Sequence, residues 1–466
     1  MAVPNTFFAS ESRLFLSYPC MKPIKMNAGT ASAFVIANMI GTGVFTSLGF
    51  QLLTTANPIS IALIWLIGGF VALCGAIVYS ELGAAMPRSG GEYHYLSQIY
   101  HPAVGFLSGW TSLIVGFSAP IALSCMALSS YVCNIWPVIP PKLFAMIMLT
   151  VITLFHAFSV KVGANIQNVL TIVKVLVIVV FILAGLYVSA DGVAAGNFQT
   201  MGDFSIGDMF TAGFAVSLIW VYYAYSGWNA AAYIANDIKH PRKNIPLALM
   251  GSTLFTIVLY LGLNMIFLRT TPISEMSGQI EIGLISARHI FGAEGGEVMG
   301  LLIAVMLVSS ISSMVFVGPR VATTMGEDHR ILRGLTRKNP SGCPYVAIWA
   351  QWLLSGVMVL TGAFQEITQY TSVVLSLCAL LTVVGVIRHR RKFPNAERPY
   401  RTLLYPVPAL LFGIIIAWSI IYMLYTDFCQ YLDGQHLLPW TTLLSLGTLL
   451  FGYVVYLLSQ QLSQQH

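Results

Sequence analysis

Charge is the scarcest thing in this chain: 9% of its 466 residues are Asp, Glu, Lys or Arg, against 57% hydrophobic. Soluble domains carry roughly 25% charged residues. The composition, with a mean hydropathy of +0.78, therefore excludes a water-soluble fold and describes a membrane protein. Cysteine is sparse as well. Cys20, Cys74, Cys125, Cys133, Cys343, Cys378 and Cys429 form no Cys-x-x-Cys and no metal-ligand cluster, so neither a metal nor a cofactor is expected. Cys133 and Cys429 fall in loops on one side and could pair, though nothing demands it. Residues 1–25 mix polar and apolar types with Pro4, Glu11, Pro19 and Pro23, which is no cleavable signal peptide, and Met21 is an alternative start. No polar stretch is long enough for a separate soluble domain, which excludes most membrane-tethered enzymes.

What is there is a succession of uncharged apolar runs, about twelve of roughly 20 residues, each enough to cross a bilayer as a helix. They lie near 30–50, 58–80, 104–131, 143–160, 165–189, 210–235, 247–268, 297–319, 345–362, 370–387, 404–426 and 439–459. With the N-terminus inside, 19 Lys and Arg residues fall in inner segments and three (Lys142, Arg269, Arg288) in outer ones. The positive-inside rule then puts both termini in the cytoplasm, with the plasma (inner) membrane as the expected location. The net charge of +6 reflects this asymmetry and points to no nucleic acid.

Span one, Met26 to Phe50, carries Ile40-Gly41-Thr42-Gly43-Val44-Phe45 near its middle. Each glycine weakens a helix by ~1 kcal/mol relative to alanine and lets other groups reach the backbone. Freed backbone groups at bilayer depth are tolerated only inside protein or on a cavity. A break here would set a polar ligand against bare backbone; close packing of small residues is the alternative. Span six repeats the theme in Tyr222-Tyr223-Ala224-Tyr225-Ser226-Gly227-Trp228-Asn229. Spans one and six each open a set of five, and because five is odd the sets run in opposite directions. Paired interruptions at corresponding positions of inverted halves are the best sequence pointer to a transporter's binding site, and they favour broken helices here.

Span five holds Lys174, some ~15 Å deep at 1.5 Å per residue, where an ammonium costs at least ~2.5–3.5 kcal/mol. It is expected to tie helices together through backbone carbonyls, to serve function, or both. Glu81, Arg88 and Glu92 sit at the cytoplasmic boundary, the last two within the turn-rich inner loop Ala84 to Leu96, and read either as snorkelling interfacial charges or as an ion-pair latch. Span three is rich in Gly and Ser, as suits a central helix. His156 reads as a satisfied structural residue. The segment Asn236 to Pro246 reads as an inner loop with two prolines. Span eight offers Ser309, Ser310, Ser312 and Ser313 to span one. The outer segment Arg269 to Gly296 contains a helical-looking Ile282–Phe291, a plausible lid. Basic loops at 326–344 and 388–401 orient the chain and meet anionic lipid. Spans eleven and twelve show no polar cluster.

These residues together resemble the amino acid–polyamine–organocation transporter superfamily, and within it the L-type amino acid transporter branch and its bacterial relatives. The resemblance covers nearly the whole chain. It rests on Gly41-Thr42-Gly43-Val44-Phe45, on Glu81-Leu82-Gly83 with Pro87-Arg88-Ser89-Gly90-Gly91-Glu92-Tyr93, on Tyr225-Ser226-Gly227-Trp228-Asn229, on Asp237 to Pro246, and on Lys174. Thr42 stands where the family usually has serine, and Asn236-Asp237 where it commonly has Glu-Glu. Cys133 matches poorly the cysteine that joins eukaryotic light chains to a heavy-chain glycoprotein, so a stand-alone, prokaryote-type member without such a partner is expected.

The resemblance implies an all-α polytopic fold of about twelve transmembrane helices in a five-plus-five inverted repeat of LeuT type, with helices one and six broken. Residues 1–25 would precede a transport core at 26–402, with repeats at 26–190 and 208–390 and two accessory helices and a tail at 403–466. The substrate would be an amino acid. Thr42 and Gly43 N–H groups at a new helix N-terminus would meet its carboxylate, and carbonyls of Ile40, Gly41, Tyr223 and Ala224 its ammonium. Tyr225, Ser226, Gly227 and Asn229 complete the candidate site, Tyr223 and Trp228 are candidate gates, and the side chain would face spans three, six, eight and ten. Lys174 would stand in for sodium, held by carbonyls near Ala37 to Ile40 and by Ser312 or Ser313. The expected function is sodium-independent transport of neutral amino acids by alternating access, as exchanger or proton-coupled carrier, with no bond-making catalyst. A cationic amino acid or polyamine antiporter would want carboxylates at depth, and a channel a continuous polar stripe.

Overall fold

The structure, a computed structural model, describes residues 25–158, 160–188, 195–434 and 438–464. Its architecture follows from the apolar runs. Ten helical segments among the described residues are long and apolar enough to cross a bilayer, and two shorter apolar helices, Ala212–Tyr225 and Tyr345–Thr361, stand at the expected sixth and ninth spans. No strand occurs among the described residues; Met26 and Ile238 form an isolated bridge. Phe155, Leu183, Leu186, Ile414, Leu450 and Phe451 stand exposed on outer helix faces, as lipid-facing residues do, while span one is buried along most of its length.

Local chemistry sets the ends. Asn27 caps the first helix through Thr30 N at 2.8 Å, and Asn57 caps the second span ahead of Pro58. Several helices outrun their hydrophobic runs. Span two continues to Ala85, span seven is Pro241–Thr270, and span ten, Phe364–Lys392, ends in His389, Arg390, Arg391 and Lys392, cations that suit a helix C-terminus. The expected loop through Pro246 is thereby corrected. The helix begins at Pro241, whose fixed φ suits a first helical position, and Pro246 lies within the helix.

The turn-rich stretch after span two is corrected too. Gly90 (φ 108°) and Gly91 (φ 51°) take left-handed conformations and turn the chain back into the protein, where Glu92–Ile99 forms a helix. Glu92 is 2% exposed and Glu81 fully buried, so neither snorkels. The expected helix at Ile282–Phe291 is present and runs on across a kink at Gly292 into span eight. The described cysteines, Cys133 and Cys429 included, are free.

Candidate substrate site

Span one is two helices, Ala28–Met39 and Thr42–Gln51, separated at Ile40 and Gly41. The second begins without a side-chain cap, so its first-turn N–H groups have no acceptor within the helix. The orphan carbonyls of the first helix are used. Ile40 O accepts from Lys174 Nζ at 2.6 Å and from Ser310 Oγ at 2.8 Å. Met39 O accepts from Gly41 N and from the Tyr260 hydroxyl. A carbonyl offers two lone pairs, so both are filled.

Lys174 is fully buried, and its Nζ also donates to Ala37 O at 3.3 Å and to Ser310 Oγ at 2.8 Å. The carbonyl partners are those the sequence suggested; the hydroxyl is not. Ser313 Oγ instead accepts from Asn38 Nδ2 at 2.6 Å, and Ser312 Oγ lies 2.9 Å from His156 Nε2. One turn of helix eight separates Ser310 from Ser313, and each meets a different level of span one.

Span six breaks in the same manner. Ala212–Tyr225 ends at Ser226, Gly227 takes φ 95°, and a short helix resumes at Ala230–Tyr233. The two breaks press on each other. A Cβ on Gly43 would collide with Ala224 Cα, and one on Gly227 would stand 2.8 Å from the Asn38 carbonyl carbon. These glycines thus permit close backbone approach between spans one and six. Tyr260 of span seven stitches the pair, donating to Met39 O and lying 3.1 Å from Ala224 O. The Tyr223 hydroxyl lies 3.3 Å from Thr42 Oγ1. Tyr225 turns away, its hydroxyl 3.3 Å from Trp65 O and its ring against Trp65 and Tyr260. Trp228 packs edge-on against Tyr79 of span two, with Phe412 of span eleven nearby.

A cavity of about 50 Å³ opens beside the span-six break, lined by Ser226, Gly227, Trp228 and Asn229 and by residues of spans one, three, eight and ten. Its span-three wall is a π-helical turn, Ser112–Phe117, and such turns recur at functional sites. Glu92 also lines it. Ile40, Gly41, Thr42, Gly43, Tyr223 and Ala224 stand beyond this lining, where the breaks meet.

A family model described as "Amino acid permease" matches residues 28–449. The chain belongs to the amino acid permease family. It is 27% identical to the b(0,+)-type amino acid transporter 1 of Mus musculus over 83% of this chain and 82% of that one. It is 26% identical to the serine/threonine exchanger SteT of Bacillus subtilis (strain 168), over 82% and 86% of the two chains. Its identity to the large neutral amino acids transporter small subunit 2 of Homo sapiens is 25%, over 87% and 77%. The permease is therefore an amino acid transporter and not an enzyme.

On the face rich in Arg and Lys, ion pairs and hydrogen bonds join elements distant in sequence. Arg320 Nε of span eight reaches Asp237 Oδ2 at 2.6 Å. Arg88 lies 2.7 Å from Asp328, which also accepts from the Tyr93 hydroxyl at 2.8 Å. Asn236 and Ser89 exchange two hydrogen bonds. Glu81 accepts from Arg390 at 2.9 and 2.6 Å and from Thr402 N and Oγ1 at 2.7 Å. Of the three charges read as a possible latch, Glu81 and Arg88 are ion-paired, and Glu92 has no ion pair among the described residues. Ser310 is one of the four serines that span eight offers to span one. Asn38 and Tyr260 were not singled out, although Asn38 was the one amide in an otherwise apolar run.

Proposed function

We propose that this permease carries neutral amino acids without sodium, working by alternating access as an exchanger or proton-linked carrier. It would sit in the plasma membrane with both termini cytoplasmic, its repeats at 26–190 and 208–390 inverted, and no heavy-chain partner. The observation that supports this reading is the buried side-chain nitrogen of Lys174. It donates to Ala37 O, Ile40 O and Ser310 Oγ, binding span one to spans five and eight at the place where a coupling cation would otherwise be needed.

The substrate carboxylate would meet the uncapped N–H groups at Thr42 and Gly43. Its ammonium would meet Ala224 O and the polar edge at Ser226 and Asn229, because Ile40 O and Met39 O are already filled. Thr42 and Tyr223 would separate to admit it. One observation favours a second reading, cationic substrates: the carboxyl of Glu92 lines the cavity. Uptake of labelled L-serine, L-leucine and L-arginine into proteoliposomes, with sodium or choline outside and with or without amino acid inside, tests both readings. Serine or leucine uptake equal in the two salts supports the first. A sodium requirement overturns it, and uptake confined to arginine selects the second.

A further inference from the structure

We propose that Glu92 is a proton-binding residue of the transport cycle, whose ionised carboxylate ties the span-six break to spans two and three and whose protonation releases it. The proposal rests on the reading of the chain as an alternating-access carrier.

Three neutral donors converge on this side chain from three spans. Tyr79 Oη of span two donates to Oε1 at 2.6 Å, and Asn229 Nδ2 of span six to the same oxygen at 3.0 Å. Ser108 Oγ of span three lies 3.5 Å from Oε2. Asn229 also stands 3.4 Å from the Tyr233 hydroxyl. Glu92 is 2% exposed and lines the cavity together with Asn229 and Tyr233. It thus sits where substrate or water in the cavity meets the polar residue that ends the span-six break.

No opposite charge among the described residues faces it. Among the described residues Glu92 makes no ion pair, whereas Glu81 and Arg88 find partners elsewhere. The titratable groups around it are Tyr79 from span two, Tyr95 from its own helix, Tyr222 and Tyr233 from span six and Cys378 from span ten. Phenols and thiols are ordinarily uncharged near neutral pH. His94, two residues on in the chain, is pushed down to about 4 by burial and stays neutral. Burial without a cation pushes the Glu92 carboxyl up to about 7, against the hydrogen bonds that favour its charge.

The consequence is a pH-dependent fastening. Ionised, Glu92 holds Tyr79, Asn229 and Ser108 by charge-assisted hydrogen bonds, which are roughly twice as strong as neutral ones. When it takes a proton from water in the cavity, one oxygen becomes a donor, the charge is lost and the hold on Asn229 weakens. The inner half of span six is then freer to move.

The test is counterflow of labelled L-serine, L-leucine and L-arginine in proteoliposomes between about pH 5.5 and pH 8.5, a window in which a group titrating near 7 loses its proton roughly thirty-fold. Wild type should change rate at least about five-fold across the window, and Glu92→Gln should be flat while Glu92→Asp keeps a slope. A carbonyl-stretch titration of purified protein by infrared spectroscopy, which needs no transport, should show a protonated carboxyl that disappears on raising the pH and is missing in Glu92→Gln. A pH slope retained by Glu92→Gln, or no such band in wild type, overturns the proposal. So does loss of arginine counterflow alone in Glu92→Gln with the slope intact, since that marks a substrate contact. A titrating band in a protein that moves none of the three amino acids would instead refute the transport reading and leave the protonation site standing.

Discussion

One side-chain nitrogen, Lys174 Nζ, has three oxygen partners on two other spans, and its burial makes each of them matter. Taking a lysine into a membrane protein's interior is costly, and the cost is offset only while its donors are used. Hydrogen bonds to charged groups contribute about 1.5–3 kcal/mol, so Ser310→Ala should slow transport roughly ten-fold or more, whereas Ser312→Ala should leave Lys174 undisturbed and act only through His156. Lys174→Ala should lose nearly all counterflow while still reaching the membrane. Equal losses in Ser310→Ala and Ser312→Ala would show that the hydroxyl at 310 has no special place. The lysine's depth was legible in the sequence because it follows from counting residues along one helix, whereas its carbonyl partners were implied only by the family resemblance. Which serine it meets was not legible, because the vertical offset between spans one and eight is set by packing across the whole bundle.

At the scale of the broken helices, Gly43 and Gly227 serve packing as directly as they serve any ligand. Spans one and six touch through backbone at these positions, so a side chain at Gly43 must displace Ala224 before it can obstruct a substrate. Overpacking of this kind costs about 1–3 kcal/mol. Gly43→Val should therefore lower the melting temperature of the detergent-solubilised permease as well as abolish transport. A variant that melts like wild type but binds no substrate would place Gly43 on the ligand alone. Tyr223, whose hydroxyl lies by Thr42, acts at the same junction. Tyr223→Phe should slow turnover several-fold and leave equilibrium binding within about two-fold, as expected of a residue that closes over the site. An unchanged turnover would remove it from the gate. The existence of both breaks was readable from paired glycines in corresponding spans. The burial of Glu92 was not, since Gly90-Gly91 reads as an ordinary loop until its positive φ values return the chain to the interior.

Across the whole molecule, the basic face is fastened by pairs that join elements distant in sequence. Asp237 lies just past the span-six break, and Arg320 lies on span eight, the helix that also carries Ser310 and Ser313 against span one. The Arg320 guanidinium further lies over the Phe316 ring, which stacks on Phe34 of span one. A path to the cavity from this face is expected to part these groups; Asn38, Tyr233 and Met314 line the cavity. A partly exposed ion pair contributes only about 1 kcal/mol, yet that is enough to shift a two-state equilibrium roughly five-fold. In a background carrying Ser112→Cys as a reporter in the cavity wall, Arg320→Ala should raise the rate of maleimide labelling from the basic face several-fold. Asp237→Asn should do the same, and the double variant should add little, because each removes the same contact. Labelling that stays at the parent rate in both single variants would mean that the pair does not hold the basic face shut, and that Arg88 with Asp328 is the fastening to remove next.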